Sequence, residues 1–147
     1  NGYDKKRIIE KSKKYGLYNN TLYHIDYVPK KQMPELLSKA TITTSLFLDI
    51  PEMENNSANK FFDGLAAGKP IMINYAGWQK DLLQETGAGF NIPSNNAKKA
   101  AEIINSIINN KEKINQMSKA SNSLANKFSI EKNYQKFKTI IDNVFIS

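Results

Sequence analysis

The chain has 147 residues, 40% of them hydrophobic, which suits one compact domain with a real core. It contains no cysteine and one histidine, His24, which excludes disulfides, cysteine nucleophiles and any cysteine or multi-histidine metal site. The net charge of +7 is loaded at the two ends, first in Lys5, Lys6, Arg7, Lys11, Lys13 and Lys14, then in Lys98, Lys99 and Lys111 through Lys138. These basic residues sit among helix formers, as solvated helix faces do, and no RNA-binding strand motif or zinc-finger spacing accompanies them, so nucleic acid is not an expected partner.

Residues 4–16 read as a helix with Asp4 as its cap, Ile8 and Ile9 on its buried face and Gly16 as its stop. Leu22 to Val28 is a β-prone run ended by Pro29. Gln32 to Lys39 is a short helix with Met33, Leu36 and Leu37 inward, and Thr41 to Leu48 is the second strand. A polar loop, Asp49 to Ser57, leads into a helix from Ala58 to Ala67 with Phe61, Phe62, Leu65 and Ala66 on its apolar side. Gly68 is its left-handed stop, and Pro70 prevents continuation. Pro70 to Asn74 is an apolar strand of the kind covered on both faces. Trp78 to Glu85 is a helix closed by Gly87, and Gly89 to Pro93 is a fourth strand. Asn95 or Asn96 caps a helix carrying Ile103, Ile104, Ile107 and Ile108, and the remainder is helical. Its stripes run along Ile114, Met117, Ala120 and Leu124, then Tyr134, Phe137, Ile140, Ile141, Val144 and Phe145.

Strands alternating with helices mean crossover connections and a parallel sheet, and ligands of such sheets bind beyond the carboxyl ends of the strands. The loops after Val28, Asp49 to Ser57 and after Asn74 therefore form the expected functional edge. The segment Asn55 to Gly68 is the richest part of it. The first amides of a helix lack internal partners and, with the helix dipole, suit an anion such as a diphosphate. Ser57 and Ala58 are small enough for close approach, Lys60 adds a charge, and Asp63 shares a helix side with Asn59 or Lys60. The same residues also read as ordinary caps and solvated helix positions.

Ala66-Ala67-Gly68-Lys69-Pro70-Ile71-Met72-Ile73 resembles the end of the donor-site segment of family 4 glycosyltransferases. Val28-Pro29, Met33-Pro34-Glu35-Leu36-Leu37 and Ala40-Thr41-Ile42 are similar to that family's base-binding loop, short helix and next strand. Gly87-Ala88-Gly89-Phe90 and Phe128-Ser129-Ile130-Glu131 resemble the start of its last strand and of its C-terminal helix. The family has two acidic residues with seven between them. Asp63 fits the second, but Asn55 stands where the first belongs, with Glu54 one residue away.

The resemblance implies an α/β fold, a Rossmann-like parallel sheet of about four strands with flanking helices, as the truncated C-terminal half of a GT-B fold. The whole of 1–147 is expected to be a single, partial nucleotide-sugar-binding domain, with 129–146 as its C-terminal helix. Two earlier strands bearing a basic pair, and an acceptor domain, are expected outside it. The start lacks methionine and reads as a cut, and the sheet edge left by the missing strands is a place for a partner chain to pair. The implied activity is retaining transfer from a nucleotide-diphosphate sugar, a UDP-sugar, to a glycan or lipid-linked acceptor in bacterial-type polysaccharide biosynthesis. No cofactor or metal is implied. Tyr27 and Val28 would hold the base, and the amides of Ser57, Ala58, Asn59 and Lys60 the diphosphate. Asp63 would hold the ribose, and Asn55 or Glu54 the donor sugar, with Asn56 beside them. No catalytic base is expected here, so the chain alone should be inactive. A cytoplasmic location, peripheral on the inner membrane face, is the matching expectation. The competing readings are a non-catalytic nucleotide or anionic-membrane binding module and, more remotely, a nucleotide-sugar epimerase, for which no matching acidic or histidine motif is found.

Overall fold

The computed structural model describes residues 2–48 and 50–145. Asp49 at the head of the polar loop and residue 146 of the expected C-terminal helix fall outside these. The chain divides into two compact units, Asn1–Leu36 and Leu37–Ser147. Among the described residues no helix is long and apolar enough to cross a membrane.

The first unit is built on α1 (Lys5–Lys14). Its one buried residue is Ser12, whose hydroxyl donates to the Ile9 carbonyl at 2.8 Å. Ile8 is 48% exposed, contrary to expectation. Asp4 stands at the N-cap but makes no capping bond, because its carboxylate accepts from both Arg7 Nε (2.8 Å) and Arg7 Nη2 (2.9 Å). That hydrogen bonding holds the Asp4 carboxyl below its ordinary pKa. Gly16 ends the helix as read, at φ +66°. Leu22 to Val28 is not a strand. Among the described residues the unit's sheet pairing is a single isolated bridge, Tyr18 to Leu22, and Tyr23, Ile25 and Tyr27 are exposed. Strand preference expresses fit to a paired, half-buried surface, and this run lacks a ladder neighbour among the described residues.

The division between the units falls within α2 (Met33–Ser38), where Met33 and Leu37 are half-buried and Leu36 is exposed. The second unit holds a parallel sheet of three strands among the described residues, ordered β1 (Thr43–Ser45), β2 (Ile71–Ile73) and β3 (Gly89–Asn91). Thr43, Ile71 and Gly89 stand in register, as do Ser45, Ile73 and Asn91. The α/β parallel class is as read. Among the described residues the strand count is three and not about four, because the Leu22–Val28 run forms no strand. One face of the sheet is closed, with Ser45, Ile71 and Ile73 at 0% exposure. The other is not covered as expected, since Thr44 is exposed and Met72 half-buried.

The closed face meets α3 (Asn59–Ala66), whose Phe61 and Leu65 join Ile71, Ile73, Tyr75, Leu83, Ala88 and Leu124 in the core. Each such large apolar side chain contributes roughly 1.5–3 kcal/mol on burial. Gly64 sets how closely α3 approaches, since a Cβ there would lie 2.3 Å from Thr43 Oγ1. The helix ends in a Schellman turn. Gly68 at φ +65° donates to Leu65 O, and Lys69 N–H donates to Gly64 O at 3.1 Å. Next come α4 (Trp78–Thr86), α5 (Ala97–Ile108) and α6 (Lys111–Ala125). The Asn96 and Asn110 side chains cap α5 and α6. The buried Ser121 hydroxyl of α6 lies 2.9 Å from the carbonyls of Lys69 and Ala88, tying that helix to the starts of β2 and β3. The last element is α7 (Ile130–Phe145), which buries none of its residues. The apolar stripe read there exists, but Tyr134, Phe137, Ile140 and Val144 are each about 60% exposed or more.

Candidate functional site

The carboxyl ends of β1, β2 and β3 are stitched together by side chains. Past Ser45 the ladder is continued by Asn74, whose carboxamide oxygen accepts from Phe47 N–H (2.9 Å) while its nitrogen donates to Phe47 O (2.8 Å). Asn91 at the end of β3 donates to the Tyr75 carbonyl at 2.9 Å. Below this edge the Tyr75 hydroxyl donates to Gln79 Oε1 and lies 3.2 Å from Ser45 Oγ. Burial pushes the Tyr75 phenol above its ordinary pKa, and its hydrogen-bonding neighbours Ser45 and Asn56 pull it partly back.

The loop after β1 folds into a 3-10 turn, Pro51–Asn55, with proline at the start, where its fixed φ fits and its missing N–H costs nothing. The turn is held from the far side by the segment after β2. Gly77 has φ +93°, and a Cβ on it would lie 2.1 Å from the Glu54 carbonyl oxygen, so only glycine allows this approach. The next residue, Trp78, donates its indole N–H to the Asn56 carbonyl at 3.0 Å. Its ring stacks on Phe62 and meets Phe61 edge-on, with centroids 6.3 and 6.1 Å away. The starts of α3 and α4 are thereby brought together.

Of the residues singled out from sequence, Glu54 to Asp63 lie on one continuous segment of this edge. The side chains of Glu54, Asn55, Ser57, Asn59, Lys60 and Asp63 are exposed, and Ala58 is half-buried. Glu54 and Asn55 leave the same turn, so both candidates for the first acidic role reach solvent. Asn56 differs. Its amide nitrogen donates to Met53 O, and its amide oxygen is buried with no hydrogen-bond partner among the described residues. Tyr27 (88% exposed) and Val28 (half-buried) belong to the first unit.

Two helices start at this edge, and neither is capped by a side chain. Ala58 before α3 has no capping group, and Gly77 before α4 has no side chain at all. At α3 the backbone bonds among the described residues begin with Phe61 N–H to Ala58 O, which leaves the amides before it turned to the loop. Uncapped amides, the dipoles of α3 and α4 and the Lys60 ammonium all favour an anion here, and the Asp63 carboxylate one turn on is an acceptor for hydroxyl groups. No group of three or more His, Cys, Asp or Glu side chains among the described residues is placed to hold a metal. Asn74, Tyr75, Gly77 and Trp78 were not singled out from sequence, although the loop after Asn74, which holds Tyr75 and Gly77, was placed on this edge. The glycine-aromatic pair at the start of a helix after an apolar strand was the available signal.

Comparison with known proteins bears on the fold and the family. The chain is similar to crystal structures of Anabaena Alr3699/HepE in complex with UDP and glucose (TM-score 0.75), with UDP-glucose (0.74) and with UDP (0.68). Identity is 18% in each case, and the match covers 93% of this chain and 36% of the other, so this chain spans about a third of that protein. At that identity the likeness establishes the fold alone, that of the C-terminal half of a GT-B fold. No curated protein sequence matches. The family described as "Glycosyl transferases group 1" matches residues 1–123, most of the chain, and the chain belongs to that family.

Proposed function

We propose that this chain is the donor-binding part of a retaining, family 4 glycosyltransferase that moves a sugar from a UDP-sugar to a glycan or lipid-linked acceptor. The observation that carries this reading is the meeting of two helix starts without side-chain caps, α3 and α4, at the carboxyl edge of a parallel sheet, beside Lys60 and Asp63. The bond to the leaving diphosphate breaks as negative charge builds on it, and amides already pointed at that position stabilise the charge without reorganising. Asp63 accepts from the ribose hydroxyls, and Asn55 or Glu54 meets the sugar. UDP and glucose in the Anabaena structures support the choice of donor. The acceptor belongs to the rest of the protein, which works at the cytoplasmic side in polysaccharide biosynthesis.

Titration of the chain with UDP, followed by amide NMR, tests this. Shifts are expected at residues 54–63, and Asp63→Ala should weaken UDP about tenfold, the cost of one charge-assisted hydrogen bond, without changing the melting temperature. Millimolar UDP that leaves those amides unmoved would sink the reading.

A second reading is favoured by α7. Its exposed Tyr134, Phe137, Ile140 and Val144 accompany Lys132, Lys136 and Lys138, the pattern of a helix lying on an anionic membrane surface. Co-sedimentation with vesicles rich in anionic lipid, lost in high salt and absent with neutral lipid, is the expected result. Equal recovery in the supernatant with both lipids would remove this reading.

A further inference from the structure

We infer that Trp78 is a positioning residue for the donor loop, an inference that rests on the donor-binding reading above. Three contacts carry it. The indole N–H holds the Asn56 carbonyl at 3.0 Å, at the residue where the 3-10 turn gives way to extended chain entering α3. The ring is fixed by its stacking on Phe62 and its edge contact with Phe61, two side chains of α3 itself. The residue before it, Gly77, lies against the Glu54 carbonyl, so the backbone of Trp78 is anchored on the same turn that its side chain grips. One side chain thus joins the first residue of α4, the body of α3 and the peptide just ahead of Ser57. Asn56 ψ is 156° and Ala58 ψ is 129°, extended values that turn the chain out of the 3-10 turn and into the helix. The carbonyl held by Trp78 fixes the plane of the Asn56–Ser57 peptide, and with it the direction in which the Ser57 amide faces.

Trp78 is also the sole tryptophan of the chain, so its indole proton is a single, unambiguous reporter of this contact. UDP bound at the start of α3 pulls on the peptide that the indole holds, and that signal should move together with the amides of residues 57–60.

The test uses Trp78→Phe, which keeps an aromatic ring for the Phe61 and Phe62 contacts and removes the N–H. Without nucleotide, hydrogen exchange at Met53 and Asn56, whose amides are bonded within the turn, should quicken about tenfold, the scale of one lost hydrogen bond, while Ile71 and Ile73 keep their protection. UDP affinity should then fall about fivefold to tenfold, since the amides must be ordered on binding. Unchanged exchange at Met53 and Asn56 overturns the inference whether or not UDP binds. A collapse of protection at Ile71 and Ile73 as well overturns it in favour of a purely structural role. The wild-type chain supplies the independent check: saturating UDP that shifts residues 57–60 but not the indole proton also overturns it. A wild type that binds no UDP, with a loop that still loosens in the variant, overturns the donor reading and upholds the loop-holding role of Trp78.

Discussion

Tyr75 is 3% exposed, with its hydroxyl set between Ser45 and Gln79, and its pKa is raised mainly by burial. A raised tyrosine pKa means that the folded chain keeps a proton the unfolded chain gives up. The stabilisation is complete below the ordinary value of 10.0 and is lost as pH climbs through the folded pKa. Tyr75→Phe should therefore show a flatter fall in urea midpoint than wild type between about pH 9.5 and pH 11, although both share the titrating lysines. Parallel falls would mean that Tyr75 ionises freely. Single residues were legible where their reason is local. Gly16, Gly68 and Gly87 stop helices, and Asn96 caps one, because a φ value or a neighbouring amide decides it. Asp4 stands at the N-cap as read but makes no capping bond, because Arg7, one turn on, outbids the helix amides for its carboxylate. Asn74, Gly77 and Trp78 were not legible as a clamp, since each acts on residues more than twenty positions away.

Elements were legible where periodicity and burial agree. The α3 stripe of Phe61 and Leu65 faces a closed sheet, and helix and core were both read from it. Two elements separate pattern from burial. Leu22 to Val28 has strand composition without a strand to pair with, and its alternate side chains meet solvent. In α7 the helix forms as read, with the Ser129 hydroxyl accepting from Lys132 N–H at its start, but its apolar stripe stays largely exposed. Removal of residues 129–147 should then shift the melting temperature by less than about 3 °C, as expected for exposed surface in a domain of this size. A much larger drop on calorimetry would show that the stripe is buried in solution.

At the scale of the molecule, the order of strands and helices was enough to assign the α/β class with a parallel sheet. Family membership follows from a match over residues 1–123. Strand number was not legible, because pairing depends on neighbours and not on composition. The core residues with the lowest exposure, Phe61, Leu65, Ile71, Ile73 and Ala88, all belong to the second unit, whereas α1 buries Ser12 alone. Native-state hydrogen exchange should rank accordingly, with amides of Lys5–Lys14 opening at lower free energy than those of Asn59–Ala66 and Ile71–Ile73. Equal rates across both units would contradict that ranking. The same edge also exposes the molecule to chemical ageing. Between β1 and β2 the final link is the Asn74 carboxamide, which serves as donor and acceptor to one peptide at once. Deamidation to aspartate would exchange the donor for a second acceptor facing the Phe47 carbonyl, turning that seam from attractive to repulsive. Slow loosening of the loop after β1 on storage, in a chain whose core is still intact, would be its signature.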